Sequence, residues 1–214
     1  MSRKLILASS SPYRRSLLQR LGLSFISTSP DIDETPLAGE TPAQSAARLA
    51  REKALALAAL HPHSLIIGSD QVACCEGLVL GKPGGREKAL RQLQFCSGKK
   101  VRFHTGLSLL DTSSVNQVTE VETFDVYFRS LSEEQIRSYV EREKPYNCAG
   151  SFKVEGLGIV LFEKMEGFDI NSLVGLPLIR LVKLLQQFGI DPLTEESAPR
   201  KPVEATQEAR KNDR

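Results

Sequence analysis

A cluster of hydroxyl and guanidinium groups follows the first apolar segment of the chain, where KLILA runs into SSSPYRR. A serine directly before a proline is typical of a helix start, so the segment predicts a strand-to-helix turn carrying Ser9, Arg14 and Arg15. Unpaired amide groups and the positive end of the helix dipole face outward at such a turn. The turn is therefore a candidate anion site. The alternative is that Ser11 only caps the helix while both arginines are solvated.

Other cations are required if the anion is a polyphosphate. A helix dipole contributes only about 0.3–2 kcal/mol, whereas micromolar binding requires about 8 kcal/mol. Lys82 between glycine and proline, and Lys153 in a glycine-rich turn, are candidates. Lys53 lies in the apolar stripe of a predicted helix, so its ammonium either extends to solvent or points into a cleft. When Lys53 is considered without the other motifs, extension to solvent is favoured. None of the three belongs to a GxxxxGK[ST] loop, so an ATPase of that type is not supported.

Acidic residues complete the candidate site. Asp31, Asp33 and Glu34 lie in a polar loop, and Asp70 is predicted at the end of the apolar strand 65–68. Carboxylates there can bind a divalent ion or take a proton from water, which suits Mg²⁺-assisted attack on a polyphosphate. The alternative for Asp70 is an Asx turn or a helix cap.

The composition limits the classes of function. The 214 residues carry 28 Lys and Arg against 26 Asp and Glu, so no charge footprint for nucleic acid or a membrane surface is expected. The sequence lacks an apolar run of 18 residues, and the N-terminal apolar stretch is too short for a signal peptide. The four cysteines form no CxxC pair and the three histidines lack zinc spacing, so we expect a protein of the reducing cytoplasm without a zinc site.

Periodicity and capping signals predict alternating helices and strands, in part antiparallel. The second helix is expected to bury residues from Ala46 to Leu60. Residues 1–193 should form one mixed α/β domain with two lobes around a central cleft, and residues 194–214 a disordered tail, since they hold too few apolar side chains to offset the entropy of ordering. The predicted helices are 12–21, 42–60, 87–95, a helix that starts at the capping box of Ser132 and Gln135, and 177–187; Gly22 closes the first of them. The predicted strands are 65–68, 159–162 and a hairpin of 101–109 with 118–128.

The ordered motifs LILASSSPYRRSLL, DIDET, IIGSDQV, GKP and CAGSFKVEG, with Lys53 between the second and third, resemble the Maf family of nucleoside triphosphate pyrophosphatases over nearly all of residues 3–193. The resemblance implies an elongated α/β fold like that of inosine triphosphatase, often a homodimer, which uses a divalent cation (Mg²⁺ or Mn²⁺) and cleaves between the α and β phosphates. It implies Asp70 as general base, with Glu34 and Asp70 at the metal or the attacking water. The implied substrate contacts are Ser9, Arg14, Arg15, Glu34, Lys53 and Lys82.

Within this family, the residue types at Gln71 and Glu155 resemble those of the branch that acts on 7-methyl-GTP. A glutamate can accept hydrogen bonds from the N1 and exocyclic amine edge of guanine, and its charge favours a cationic, methylated purine. Tyr13 could stack on that ring, although this position is more often tryptophan in the branch; a cation over an aromatic face gains about 0.5–2 kcal/mol. Alternatives are a pyrophosphatase for dTTP, UTP or CTP, and a nucleotide-binding regulator of cell division (septum formation).

Overall fold

A computed structural model of the chain describes residues 3–195. One mixed sheet of seven strands runs through these residues in the order β2-β1-β3-β5-β6-β7, and the short β4 pairs with β3. Strand β1 is parallel to β2 and β3, and the other pairings are antiparallel. The strands are β1 (Lys4–Ala8), β2 (Phe25–Thr28), β3 (Ser64–Cys75), β4 (Leu78–Leu80), β5 (Lys100–Asp111), β6 (Asn116–Phe128) and β7 (Phe162–Gly167).

Six α-helices lie between or after the strands. They are α1 (Pro12–Gln19), α2 (Pro42–Ala56), α3 (Arg86–Cys96), α4 (Glu133–Glu143), α5 (Ile170–Val174) and α6 (Leu178–Gln187), with 3-10 turns at Ala149–Ser151 and Leu157–Leu161. The predicted mixed α/β class is confirmed, as are the capping box of Ser132 with Gln135 and the long hairpin of β5 and β6.

Two large clusters of buried side chains divide the molecule into two lobes. The first hydrophobic cluster joins β1, α1 and α6 to one half of the sheet and includes Leu18 and Leu181. The second hydrophobic cluster joins α3 and α4 to the other half and includes Leu93 and Phe128. Strands β3, β5 and β6 contribute to both clusters, so the lobes share one continuous sheet.

Helix α2 packs unusually close to the sheet. A Cβ placed on Gly68 in β3 would lie 2.0 Å from the carbonyl oxygen of Ala50, and one on Gly106 in β5 would lie 2.0 Å from that of Ala46. Only glycine therefore permits this approach. The approach matters for function because Lys53 lies one turn beyond Ala50 and Asp70 lies two residues beyond Gly68.

Several predictions about element boundaries are wrong. The second helix ends at Ala56, so Leu60 is exposed instead of buried. Strand β3 does not stop at Gly68 but continues to Cys75, since it pairs with β5 along its whole length. Residues 159–161 belong to a 3-10 turn, and the strand starts at Phe162. Strands β2 and β4 and helix α5 were not predicted.

The predicted tail 194–214 lies outside the described residues, except for Thr194 and Glu195, whose amides donate to the carbonyl of Asp191. Among residues 3–195, no helix is long and apolar enough to cross a membrane.

Candidate active site

A buried lysine between two carboxylates forms the centre of the site. The Nζ atom of Lys53 lies 2.6 Å from Oδ1 of Asp70 and 2.6 Å from Oε1 of Glu34. Lys53 and Asp70 are only 6% and 8% exposed. The solvent-directed alternative for Lys53 is therefore wrong, and its ammonium points inward to the sheet.

Asp70 lies in the middle of β3, opposite Gly106 of β5. Its carboxylate accepts a hydrogen bond from Lys53, so the Asx-turn and helix-cap alternatives for Asp70 are wrong as well. The close approach of α2 to the two glycines brings the lysine stem against the strand, which places both charges out of water. A buried charge pair of this kind requires its partners to remain together, because either charge left alone would be costly.

Glu34 reaches the same lysine from the irregular loop between β2 and α2. Arg48 of α2 holds this loop, because it donates to both carboxylate oxygens of Glu40 at 2.7 and 2.9 Å and to the carbonyl of Thr35. Desolvation alone would raise the pKa of Glu34, but the hydrogen bond from Lys53 and the charges of Lys53, Lys82 and Arg14 lower it overall. Glu34 is thus held as an anion among three cations.

The neighbouring Asp33 has a local role. Its carboxylate accepts hydrogen bonds from the amide and the hydroxyl of Thr35, at 2.9 and 2.6 Å, which lowers its pKa and stabilises the turn before α2. Asp31 is exposed in the same loop. Of the three loop acids, Glu34 is the one that reaches Lys53.

Arg14 and Arg15, although adjacent, have different surroundings. Burial lowers the pKa of Arg14, and the charges of Asp70 and Glu34, the two acids paired with Lys53, oppose this shift. Its Nε donates to the carbonyl of Gly175 at 2.8 Å. Arg15 instead lines a neighbouring cavity of about 370 Å³, together with Ser9, Ser10, Pro12, Ser16, Gln19, Ser27 and Ser29.

The serines at this turn support the start of α1. Ser11 is the N-cap and accepts from the amide of Arg14. The buried Ser9 accepts from the amide of Ser11 at 3.1 Å. Ser11 therefore caps the helix, as predicted. The alternative in which both arginines are solvated is wrong for Arg14, which is half-buried.

A second group of predicted residues lies where the other lobe faces this turn. Partial burial raises the pKa of Tyr13, and Cys148 and Glu155 raise it further, so both lie near the phenol. Lys82, exposed in the loop before α3, affects the pKa of both Glu34 and Cys148. The charge of Lys82 therefore acts on a residue of the Lys53 centre and on a neighbour of Tyr13.

Gln71 has a different environment from the one expected of a residue that reads a base. Its side-chain amide nitrogen lies 2.7 Å from the carbonyl of Ser172, 3.1 Å from that of Leu173 and 3.1 Å from Oγ1 of Thr105. The amide thus holds the end of α5 against the sheet. Its predicted part in specificity stays a prediction.

Residues that sequence reasoning missed include Ser69, Thr105 and Gly175, which surround Arg14 and Gln71. Ser69 Oγ donates toward the carbonyls of Gly106 and Gly175, and Thr105 Oγ1 donates to that of Ser172. Ser69 directly precedes Asp70 and could have been considered. Gly175 lies far from the other motifs in sequence and carries no functional group on a side chain, so nothing local pointed to it.

The donor set fits a hard divalent cation that shares its coordination with a substrate. Two carboxylates converge on one ammonium nitrogen, so Glu34 and Asp70 can approach a single cation. Within residues 3–195 no three His, Cys, Asp or Glu side chains group together as a metal site. Mg²⁺ commonly uses only one or two protein carboxylates and takes water and phosphate oxygens for the rest.

Fold and site together define a mixed α/β protein in which a buried lysine meets two carboxylates beside further cationic side chains. The chain belongs to the Maf-like protein family, whose family model matches residues 4–188. A 7-methyl-GTP pyrophosphatase of Pseudoalteromonas atlantica is 57% identical over 188 residues, which make up 88% of this chain and 96% of that protein.

Two solved structures are more distant. A HAM1 protein from Coxiella burnetii covers 87% of this chain and 100% of its own, with a TM-score of 0.48 and 16% identity. A nucleoside-triphosphatase, or dITP/XTP pyrophosphatase, from Mycobacterium abscessus covers 85% of this chain and 99% of its own, with a TM-score of 0.42 and 16% identity. Both likenesses are too weak to bear on function.

Proposed function

We propose that this chain is a nucleoside triphosphate pyrophosphatase whose preferred substrate is 7-methyl-GTP, which it converts to 7-methyl-GMP and pyrophosphate. The observation that carries the proposal is the buried Lys53 between Asp70 and Glu34. The charges of Arg14 and Lys82 also act on Glu34 and lower its pKa. Three cations around two carboxylates suit a reaction in which negative charge on phosphate oxygens must be held and water activated. The name of the 57% identical relative supports the same reaction and substrate.

In this reaction a water oxygen forms a bond to the α phosphorus, and the bond from that phosphorus to the oxygen bridging to the β phosphorus breaks. The pyrophosphate leaves with the electron pair of the broken bond. Asp70 accepts the proton of the attacking water, and its hydrogen bond with Lys53 fixes the orientation of the carboxylate. Ser9, Arg14, Arg15, Lys53 and Lys82 bind phosphate oxygens and hold the triphosphate in line for attack.

Glu34 and Asp70 are the residues that would hold a divalent cation, Mg²⁺ or Mn²⁺. When bound, such an ion neutralises charge on the phosphate oxygens and lowers the pKa of water. The two carboxylates would then bind the cation while they remain paired with Lys53, which accounts for two acids beside one lysine.

The choice of base is proposed to depend on Tyr13 and Glu155. Glu155 is exposed and its charge raises the pKa of the Tyr13 phenol, which supports a ligand site shared by the two side chains. A 7-methylguanine ring is cationic, which favours a nearby carboxylate and stacking on an aromatic face. Uncharged guanine and the pyrimidines lack this charge.

The test is pyrophosphate release with Mg²⁺ or Mn²⁺ from 7-methyl-GTP, GTP, dTTP, UTP and CTP at one subsaturating concentration. We expect selective release from 7-methyl-GTP, and a loss of about 10²–10⁴-fold in Asp70→Asn, the range typical of a positioned base. Asp125→Asn is the matched control. Asp125 is 8% exposed, as Asp70 is, and is paired with a basic side chain, Arg102, but it lies on the far half of the sheet. Full turnover by Asp70→Asn would contradict the role of Asp70.

Specificity is tested separately. Glu155→Gln should reduce the preference for 7-methyl-GTP over GTP several-fold while GTP turnover is retained, and Glu163→Gln, an exposed acid on β7, should change neither. Preference of the unaltered protein for a pyrimidine would retain the reaction and overturn the substrate. Absence of release from all five nucleotides would overturn the reaction itself.

A further inference from the structure

We infer that Gly175 is a positioning residue for Arg14, through its backbone carbonyl. This inference rests on the proposed function, in which Arg14 binds the triphosphate. The carbonyl of Gly175 accepts a hydrogen bond from Nε of Arg14 at 2.8 Å and one from Oγ of Ser69 at 2.9 Å. Because the Nε contact uses one edge of the guanidinium, it fixes the direction in which the terminal nitrogens project.

The carbonyl is itself held rigidly. Gly175 ends α5, and its amide donates to the carbonyls of Asn171 and Ser172 at 3.1 and 3.0 Å. Gln71 and Thr105 hold the carbonyl of Ser172 from the sheet at 2.7 and 2.8 Å. Ser69 is fully buried beneath the same segment. The position of Arg14 is therefore set by the central strands of the sheet and not only by α1.

Only glycine can serve at this position. The φ angle of Gly175 is +117°, a conformation that residues with a side chain rarely adopt. A Cβ there would also lie 3.2 Å from Nε of Arg14, in the place where the arginine now approaches the carbonyl. Alanine at 175 should thus shift the guanidinium by a few tenths of an ångström, in addition to straining the backbone that presents the carbonyl.

A double-mutant cycle on the full chain tests the inference, with pyrophosphate release as readout. Gly175→Ala should lower kcat/KM for 7-methyl-GTP by about 3- to 10-fold, since the expected shift is smaller than the 1 Å misplacement that can cost about 10²-fold. In an Arg14→Ala background the same change should cost less than about 2-fold, because the guanidinium it displaces is already gone. A purely structural role for Gly175 predicts the same loss in both backgrounds, and that result would overturn the inference.

Gly189→Ala is the matched control for backbone strain. Gly189 also follows a helix at positive φ, +79°, but a Cβ there would meet only Arg3, at 3.6 Å. We expect the melting temperature of Gly189→Ala to fall as in Gly175→Ala while its kcat/KM stays within about 2-fold of the unaltered protein. A comparable loss of activity in both variants would contradict the inference.

Ser69→Ala keeps the test decisive if Gly175→Ala does not fold. It removes the second hydrogen bond to the carbonyl without adding atoms, and we expect a loss of about 2- to 10-fold in kcat/KM that disappears in the Arg14→Ala background. An undiminished loss in that background would overturn the inference. Failure of the proposed function is recognised differently, since the unaltered protein would then release no pyrophosphate, or Arg14→Ala would be fully active.

Discussion

At the scale of single residues, the Lys53 centre combines two demands that oppose each other. Water activation and phosphate binding favour charges that are free of competing solvent, whereas burial of a charge costs stability unless a partner is close. Lys53 and Asp70 meet both demands because each neutralises the other at 2.6 Å. Glu34 is more exposed, with 57% of its side chain accessible, and can exchange Lys53 for another cation at smaller cost.

This arrangement predicts that, in a single and a double variant, the free energy of unfolding and the rate of pyrophosphate release change independently. Lys53→Met leaves Asp70 buried without its partner, so it should lower the free energy of unfolding by about 3 kcal/mol and remove pyrophosphate release. Adding Asp70→Leu replaces the whole pair by apolar groups, which should restore most of the stability and none of the activity. Urea unfolding and the pyrophosphate assay measure the two properties independently. Equal stability of the single and double variants would show that the pair is not the reason for the loss.

At the scale of elements, the contact between α2 and the sheet carries the site. Gly106→Ala would place a Cβ 2.0 Å from the backbone oxygen of Ala46, which cannot move without shifting the helix. We expect a loss of about 3 kcal/mol or more in the free energy of unfolding, together with reduced activity, since overpacking at a backbone contact forces the elements apart.

Gly81→Ala is the matched control for this change. A Cβ at Gly81 would meet no atom within 4 Å, so its stability should stay within about 0.5 kcal/mol of the unaltered protein. Thermal melting of both variants compares them directly. A small effect of Gly106→Ala would mean that α2 can move outward without cost to the Lys53 centre.

A second element-scale prediction concerns the pairing of β5 with β6. Arg102 and Asp125 are opposite each other in the ladder and form two hydrogen bonds of 2.7 Å. The hydrogen bonds from Arg102, and then its charge with that of Lys100, lower the pKa of Asp125 against the effect of burial. Since Arg102 is partly exposed, we expect Asp125→Asn to cost only about 1 kcal/mol at pH 7.

The sign of the pH dependence follows from the lowered pKa. The stabilisation from Asp125 is complete above the ordinary aspartate pKa of about 3.9 and is lost as the pH falls through the lower value in the folded protein. The difference in free energy of unfolding between Asp125→Asn and the unaltered protein should therefore shrink toward zero in urea titrations below pH 4. A difference that stays constant to pH 2 would assign the effect to packing.

Local signals predicted those elements that begin at a capping residue or alternate along their length. The Ser132 capping box and the β5–β6 hairpin are of this kind. Strand β2 has no fully buried position, β4 has three residues and α5 has five, so the apolar residues of these elements show no clear periodic spacing. The polar residues after Gly68 predict a strand end at Asp70, whereas pairing with β5 extends the strand through them.

The candidate site shows the same limit. Residue types and motifs indicated the charged members, but not which of them meet. Lys53 contacts Asp70 across 17 positions, and Arg14 contacts Gly175 across 161. The second contact involves a backbone carbonyl, which any residue possesses, so no residue type at that position could have indicated it.

At the scale of the whole molecule, the site joins both lobes. Arg14 belongs to α1, which packs on the first hydrophobic cluster, and Asp70 to β3, which both clusters share. Lys53 belongs to α2, whose Ala54 packs with Ile6 and Ile66 in a third, smaller cluster. Cys148 and Glu155 lie in segments packed on the second cluster. Substrate binding as proposed thus requires both lobes in a fixed relation. The shared strands β3, β5 and β6 run through both clusters and supply that relation.

Continuous strands predict that the two lobes unfold together. Leu93 in the second cluster and Leu181 in the first are both fully buried, and each change to alanine should cost about 2–5 kcal/mol. Because β3, β5 and β6 cannot lose their pairing in one lobe only, each variant should lower a single transition, with equal calorimetric and van't Hoff enthalpies. Two resolved transitions, or a shift confined to one of them in either variant, would show that the lobes are independent and that the fixed relation must come from the bound substrate.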